Sequence, residues 1–447
     1  MKHNIISVSN FLNTEVSQYA KYSTIRAIPS YIDGLKNAGR KVVYYLYKTA
    51  GNKEHKVLNL AGEVSVNTCY LHGDITGSIV TLAKNYAGTN NLPLLTREGN
   101  FGKRHTPEAS ANRYIYTQKE DYFYDLYSKD DFEILEHQTF EGDPIEPRFF
   151  VPNLPMLLIN GSEGIATGFA CKILPRDPKK IKKYIQDYLQ DKLKPSQDNS
   201  LIPYFNEFDG VIEKGENKNQ WVVKGKIQKV SIIKILITEL PIGYDLASYT
   251  KKLEKFIDDK KIKSYTDNSE NDKFLFEVTM SSADIKKGEE YLLNKLGLIK
   301  NITENLTTLD ENNNIKVFEN TKDIIDSYIK VKLKYLQKRK EFLLDKIDKQ
   351  IKIDNSKYLF IEAIVNNKLK VQKRKKADIV KALEEFEDIY QKDGSFDYLL
   401  NMSIYNLTEE KMKELKNKIT NLKKDFKDIK SKSIQSIWID DLTLLKI

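Results

Sequence analysis

Arg113 and Tyr114 stand side by side in the run ASANRYIYTQ, and together they carry the groups needed to attack a phosphodiester. A free phenol, with a pKa of about 10, is a weak nucleophile at neutral pH. Neighbouring positive charge favours phenolate and stabilises the extra charge on a five-coordinate phosphorus. Arg113 can supply that charge. Just upstream lies a glycine-spaced loop, EGNFGKR from Glu98 to Arg104, and glycines let a backbone turn tightly and approach a ligand closely. Alone, an Arg-Tyr pair says little, because an amphipathic tyrosine more often packs with its hydroxyl satisfied. The surrounding segments give it weight.

Three segments in order are IRAIPSYIDGLKNAGRKVVYYLY (Ile25 to Tyr47), YLHGDITGSIVTLAKNYAG with NLPLLTREGNFGKR, and ASANRYIYT. Their order and spacing resemble the breakage-reunion core of type IIA DNA topoisomerases, as in gyrase A subunits and eukaryotic topoisomerase II. The likeness continues through EPRFFVPNLPMLLINGSEGIATGF (Glu146 to Phe169) and ITELPIGYDLASYTKKLEKF (Ile237 to Phe256). It ends in YLLNMSIYNLTEEKMKELKNKI and SIWIDDL, so it covers nearly the whole chain. In length the chain is most similar to the DNA-cleaving medium subunit of the T-even-type phage enzymes.

The resemblance implies roles for particular residues. Tyr114 becomes the nucleophile that forms a transient phosphotyrosyl bond at a 5′ end. Arg26, in IRAIP, and Arg113 help to hold the scissile phosphate, and His72, in YLHGD, hydrogen-bonds it. Lys36, Arg40 and Lys41 in DGLKNAGRK are implied DNA contacts, as are Asn100, Lys103 and Arg104 in the glycine loop. Arginine forks and lysine point charges are the expected phosphate partners. Ile165, in NGSEGIATG, corresponds to an isoleucine that wedges between base pairs, a known route to a sharp bend. Three positions depart from the family pattern. Asn37 follows the lysine where proline is usual, Leu71 precedes His72 where many relatives have a second histidine, and Glu98 replaces a bacterial glutamine.

It also implies what other chains supply. Type IIA cleavage uses Mg²⁺ held by a DxDGxH-type carboxylate cluster in a Toprim domain, and ATP bound by a GHKL-type domain. The 447 residues contain neither motif and no Walker loop, and the acidic pairs Asp258-Asp259 and Asp440-Asp441 read as surface. The chain is therefore expected to bind double-stranded DNA as a homodimer. Mg²⁺ and ATP are expected on a Toprim- and ATPase-bearing partner subunit, in a heterotetramer or larger complex. With no DNA-wrapping segment after Ile447, relaxation and decatenation are expected rather than supercoiling. Two other readings make different demands. A catalytically inactive DNA-organising protein on the same fold would have no need of Tyr114 in its full motif. A tyrosine recombinase would carry its tyrosine near the C-terminus, whereas here it falls in the first third.

The net charge of +9 permits nucleic-acid binding without requiring it. Its distribution says more: through Arg113 there are 14 Lys and Arg against 7 Asp and Glu, whereas Tyr114 to Phe150 holds 3 against 10. The basic excess lies on the segment that the resemblance puts against DNA. With 40% hydrophobic and 30% charged residues, a soluble, multi-domain, cytoplasmic protein is expected. No stretch nears the ~18 apolar residues of a membrane span, and MKHNIISVSNF does not read as a signal peptide. Cys69 and Cys171 read as reduced, structural thiols.

The expected fold class is multi-domain α+β. Within residues 1–148, the spacing of Ile32, Leu35, Val42, Val43 and Leu46 predicts a helical hairpin broken near Asn37-Ala38-Gly39. By resemblance this is a winged-helix DNA-binding and cleavage domain. Over 149–320, WVVKGKIQKV, SIIKILITEL and FLFEVTM read as strands and DENNNIKVF as an Asn-rich turn between two more, which by resemblance form an α/β tower domain. Beyond 320, Ile325, Ile329, Leu333, Leu336, Leu343, Ile347 and Ile351 recur at helical spacing. Met412, Leu415, Ile419, Leu422, Phe426 and Ile429 alternate threes and fours, the seam of a coiled coil. This predicts a long antiparallel coiled coil, with one helix over 321–353, a helical tip over 354–405 and a returning segment over 406–447. In the family the tip is the dimerisation gate. The basic run VQKRKKAD (Val371 to Asp378) reads as a solvated helix face.

Overall fold

The computed structural model describes residues 6–193 and 201–447, so part of the N-terminal run MKHNIISVSNF lies outside it. The described residues pack as two compact units. One comprises the chain up to Lys332 with Ile439–Ile447, the other Leu333–Trp438. Among the described residues no helix is long and apolar enough to cross a membrane.

After a short helix over Val8–Phe11, the first part of the larger unit carries four longer helices, Ser17–Ala27, Asn37–Lys48, Val57–Asn67 and Thr76–Ala83. The last three pack on one another and bury Val42, Val43, Leu46, Val57, Leu60, Val64 and Ile79. Each such side chain removed from water contributes roughly 1.5–3 kcal/mol. The expected helical hairpin through Ile32 and Leu35 is not found. Pro29 lacks an amide hydrogen and holds Ile28 extended (φ −94°, ψ 133°), which ends the first helix at Ala27. Ile32 and Leu35 are buried in an irregular connection instead. Gly34 makes that connection possible: at φ +70° it lies so close to the next layer that a Cβ would come within 2.4 Å of Leu157 N. Asn37, Ala38 and Gly39 are no break but the first turn of the second helix. Asn37 thus occupies the first helical position, where proline is also well tolerated, and the departure from the family leaves the helix start intact.

A short strand, His55–Lys56, pairs antiparallel with Tyr116–Thr117. That ladder draws the segment around Tyr114 against the head of the third helix, where Val57 N donates to Ile115 O and Leu58 N to Asn112 O. Farther along, Ser162–Ala166 and Phe169–Ile173 form a hairpin with Ile165 opposite Ala170. The strands expected over 221–240 and 274–280 are present. Lys226–Lys229, Lys234–Glu239, Phe276–Thr279 and Ser264–Asp267 make a four-stranded antiparallel sheet, with Tyr249, Leu253 and Leu292 of two helices in its core. Val211–Lys214, Gln220–Lys224 and Ile299–Thr303 make a second antiparallel sheet. The Asn-rich turn is also found: Asp310 Oδ1 accepts from the amides of Asn312 and Asn314, both at 2.8 Å, between strands Thr307–Leu309 and Ile315–Val317.

In the smaller unit, the helix Thr321–Val365, which starts in the larger one, runs beside Glu409–Ser431. Lys340 Nζ donates to Lys430 O and Lys432 O, and Lys418 pairs with Asp354 at 2.8 Å. One residue number rises as its partner falls, so the two helices are antiparallel. Met412, Leu415, Ile419, Leu422, Phe426 and Ile429 are the less exposed face of the second helix, as their spacing predicts. Phe360, near the end of the first helix, packs with Leu369, Leu383, Phe396 and Leu399 of the segment between the two helices in a separate small core. Gln372 to Asp378 of the basic run are exposed.

Candidate active site

Tyr114 is 66% exposed, a large value for a tyrosine inside a packed unit. The Arg113 guanidinium lies over its ring, 5.0 Å from the centroid. The loop that presents it is fixed on both sides. Tyr114 N donates to Ala111 O at 2.9 Å, and Ile115, the next residue, is fully buried. Tyr116 and Glu98 exchange backbone hydrogen bonds at 2.9 and 3.0 Å, which lays the glycine loop along this segment. Gly99, at φ +94°, passes so close that a Cβ would come 3.1 Å from Ile115 Cγ2.

A chain of polar contacts ties this loop to two others. Asn112 Nδ2 donates to Thr76 Oγ1 at 2.7 Å, and the Thr76 hydroxyl and amide both donate to the Asp74 carboxylate. Two residues before Asp74, His72 Nε2 meets Arg26 Nη1, while His72 Nδ1 is 3.2 Å from the Tyr22 hydroxyl. A guanidinium can only donate, so Nε2 accepts and the ring proton belongs on Nδ1, toward Tyr22. Arg26 and His72 thus meet directly, and the Arg113–Tyr114 loop is tied through Asn112 and Thr76 to the segment that carries His72. Asn112, Thr76 and Tyr22 were missed in the sequence, although Asp-x-Thr at a helix start signals a local side-chain to backbone contact. Among the described residues no three His, Cys, Asp or Glu are grouped to hold a metal ion. Asp74, the acid within this cluster, has both oxygens engaged by Thr76. These residues do not fit a Mg²⁺ centre by themselves.

Ile165 is 81% exposed near the end of its hairpin, with Phe169 also exposed. The hairpin is clamped to the helix that carries Tyr22 and Arg26. A Cβ on Gly164 would lie 2.2 Å from Ala27 O, Thr167 N donates to Ser23 Oγ at 3.2 Å, and Lys36 Nζ donates to Glu163 O at 2.6 Å. Burial lowers the Lys36 pKa, with Cys171 and Glu163 opposing.

The remaining expected DNA contacts divide. Asn100 is exposed, with Oδ1 accepting from Gly102 N at 2.9 Å, and Lys103 is exposed beside Asp272 at 3.0 Å. Arg40, Lys41 and Arg104 are only 3, 6 and 7% exposed, which corrects the expectation that they face a phosphate. Arg40 grips Asp33 with Nε and Nη2, at 2.8 and 3.0 Å. Lys41 pairs with Glu146 at 2.8 Å and donates to Thr68 O. Arg104 pairs with Glu239 at 2.7 Å between the rings of Phe208 and Phe274. A buried charge stays charged only when paired, and these pairs use up the cation inside the protein.

A family model that describes the DNA gyrase/topoisomerase IV A subunits matches residues 26–443. The chain belongs to that family. It is 34% identical over 455 residues to the mitochondrial DNA topoisomerase 2 of Dictyostelium discoideum, covering 99% of this chain and 35% of that protein. A DNA topoisomerase 2 of Invertebrate iridescent virus 6 is 27% identical over 453 residues, covering 99% of this chain and 39% of its own length. This family member thus spans little more than a third of the curated relatives it matches. Its structure is similar, with a TM-score of 0.87 and 31% identity, to a solved Plasmodium falciparum topoisomerase II DNA-binding, cleavage and re-ligation domain, covering 98% of this chain and 64% of that one.

Proposed function

We propose that this chain is the DNA-cleaving and religating part of a type IIA topoisomerase. The observation that carries the reading is the exposed Tyr114 under Arg113, in a loop held through Asn112 to Thr76, four residues after the His72 that meets Arg26. Tyr114 Oη, having lost its proton to water, attacks the phosphorus; the P–O3′ bond breaks, a 5′-phosphotyrosyl bond forms, and the 3′ oxygen takes up a proton. Religation is the reverse. Arg113 and Arg26 stabilise the charge that develops on the phosphate. His72 gives Arg26 its direction, and in the free protein its Nε2 is occupied by that arginine. Ile165 enters the base stack and bends the duplex, while Lys36, Asn100 and Lys103 contact its backbone.

In this reading residues 1–148 form a winged-helix cleavage domain and 149–320 a tower domain. The antiparallel helices form a coiled coil whose tip, over 354–405, joins two copies into a dimer. A Toprim- and ATPase-bearing partner supplies Mg²⁺ and ATP, in keeping with the poor fit of the described residues to a metal.

The test is detergent-trapped protein on end-labelled duplex, with partner and Mg²⁺ present. Tyr114→Phe should abolish the adduct and leave DNA affinity nearly unchanged, because one hydroxyl adds little to many phosphate contacts. An adduct that persists, or that maps to Tyr116, removes Tyr114 from the role. The chain without its partner should bind duplex yet fail to relax supercoiled plasmid; Tyr114-dependent relaxation by the chain alone would overturn the division of labour.

A further inference from the structure

Next to the hairpin, the larger unit has a cleft of about 590 Å³ whose lining includes Lys36, Lys84, Lys172 and Lys300. Three of these ammonium groups are held by neutral carbonyls: Lys36 Nζ donates to Glu163 O at 2.6 Å, Lys84 to Pro107 O at 2.8 Å and Lys300 to Ile242 O at 3.1 Å. Among the described residues none of the three has a carboxylate partner. Lys172 has one, Glu163, at 3.4 Å and exposed to solvent. The contrast with Arg40, Lys41, Arg104 and Arg176 is sharp, since each of those has a carboxylate within 2.8 Å. A carbonyl satisfies a donor but does not neutralise its charge. Burial lowers the pKa of Lys84 and, against smaller opposing effects of Cys171 and Glu163, that of Lys36, as expected of cations short of a counter-ion.

Ser162 and Glu163 line the same cleft and precede Ile165 by three and two residues on one strand. At about 3.3 Å per residue, the cleft begins within roughly 10 Å of Ile165 along that strand. A duplex bent at Ile165 would therefore bring its backbone to a cleft lined by four lysines against two carboxylates, Asp33 and Glu163, of which Asp33 is held by Arg40 and Glu163 faces Lys172.

We propose that Lys84 and Lys300, with Lys36, hold phosphates of the bound duplex beyond the bend. The inference rests on the reading of this chain as a DNA-cleaving protein and adds two phosphate-binding residues to it. The ligand chemistry is phosphate, and continuity with the hairpin favours a duplex over a free anion.

The experiment measures the affinity of the full chain for a labelled duplex across a salt series. Each lost phosphate contact lowers the slope of log affinity against log salt by about 1. The K84Q/K300Q variant should lose about 2 and Lys300→Gln alone about 1, while K84R/K300R keeps the wild-type slope. Thermal melting shows that each variant is folded, and the single variant carries the test if the double one is not. An unchanged slope in a folded variant, with wild type binding normally, overturns the inference and leaves the cleavage reading standing. Titration with inorganic phosphate and ADP separates the sources: loss of their binding with an unchanged duplex slope would make this a small-anion site and also overturn it. If wild type neither binds duplex nor forms an adduct at Tyr114, both readings fall.

Discussion

The larger unit handles its cations in two opposite ways. Arg40, Lys41, Arg104 and Arg176 are buried and each is matched to a carboxylate; Arg26 and Arg113 are exposed, one against a histidine and one against a tyrosine ring. In the first set, three of the four pairs span sequence distances that local structure cannot, as from Lys41 to Glu146 and from Arg104 to Glu239. That set is framework. The second set is concentrated where Tyr114, His72 and Ile165 face solvent. Charge inside the protein fixes where the segments cross, and charge left open is free to meet a phosphate. Tyrosines divide similarly, since burial pushes the phenols of Tyr127 and Tyr328 far above the usual range and removes them as nucleophiles, whereas Tyr114 stands in water.

The largest effect should come from the framework. Arg176 is fully buried and forks onto Glu304, whose carboxylate also accepts from Trp221 Nε1 at 2.8 Å and Leu174 N at 2.7 Å. Glu304→Ala leaves an uncompensated buried charge and should cost about 3–5 kcal/mol in urea unfolding. A loss below about 1 kcal/mol would put this pair with ordinary surface bridges and dissolve the distinction.

Arg26→Ala should do the reverse. Its side chain is exposed, so stability should change by no more than about 0.5 kcal/mol. Adduct formation in the complete complex should fall roughly 10²–10³-fold, the usual loss when one transition-state donor is removed. Equal losses of stability and cleavage would make Arg26 framework as well. Ile165→Ala should change still less, lowering the bend read by energy transfer between duplex ends while affinity at moderate salt holds, since the wedge acts on deformation rather than charge. An unaltered bend would leave its 81% exposure without a purpose.

How much of this could be read in advance differs by the range of the interaction. Strands over 221–240, the turn at Asp310 and the helix seam from Met412 to Ile429 follow from local periodicity and side-chain chemistry, and they appear as expected. The false hairpin through Ile32 and Leu35 comes from weighting spacing over Pro29, whose effect on the preceding residue is equally local. The partner of Arg40, Asp33, stands in the same motif, whereas Lys41 and Arg104 could not be sorted from Lys36 and Lys103, because a one-dimensional motif shows a cation and not the distant carboxylate that folding brings to it. Asn112 was missed for the same reason: its partner Thr76 lies 36 residues away.

A third kind of pairing, on the surface, should show the smallest effect and a distinctive pH dependence. Asp284 lies in the first turn of a short helix capped by Ser281 and accepts from Lys295 Nζ at 2.8 Å, Ser281 Oγ at 2.5 Å and the Tyr291 hydroxyl at 2.9 Å. These contacts hold its carboxyl well below the usual carboxylate range. As the folded-state pKa is depressed, the unfolded chain takes up the proton first on acidification. The stabilisation is therefore complete above about pH 4 and fades as pH falls below it. Asp284→Asn should lower the urea midpoint at about pH 6, and the gap from wild type should narrow steadily as the pH falls from about 4 toward about 2. A gap that stays constant across that window would mean that the carboxylate's charge adds nothing, and that the framework pairs alone carry the electrostatic stability of this unit.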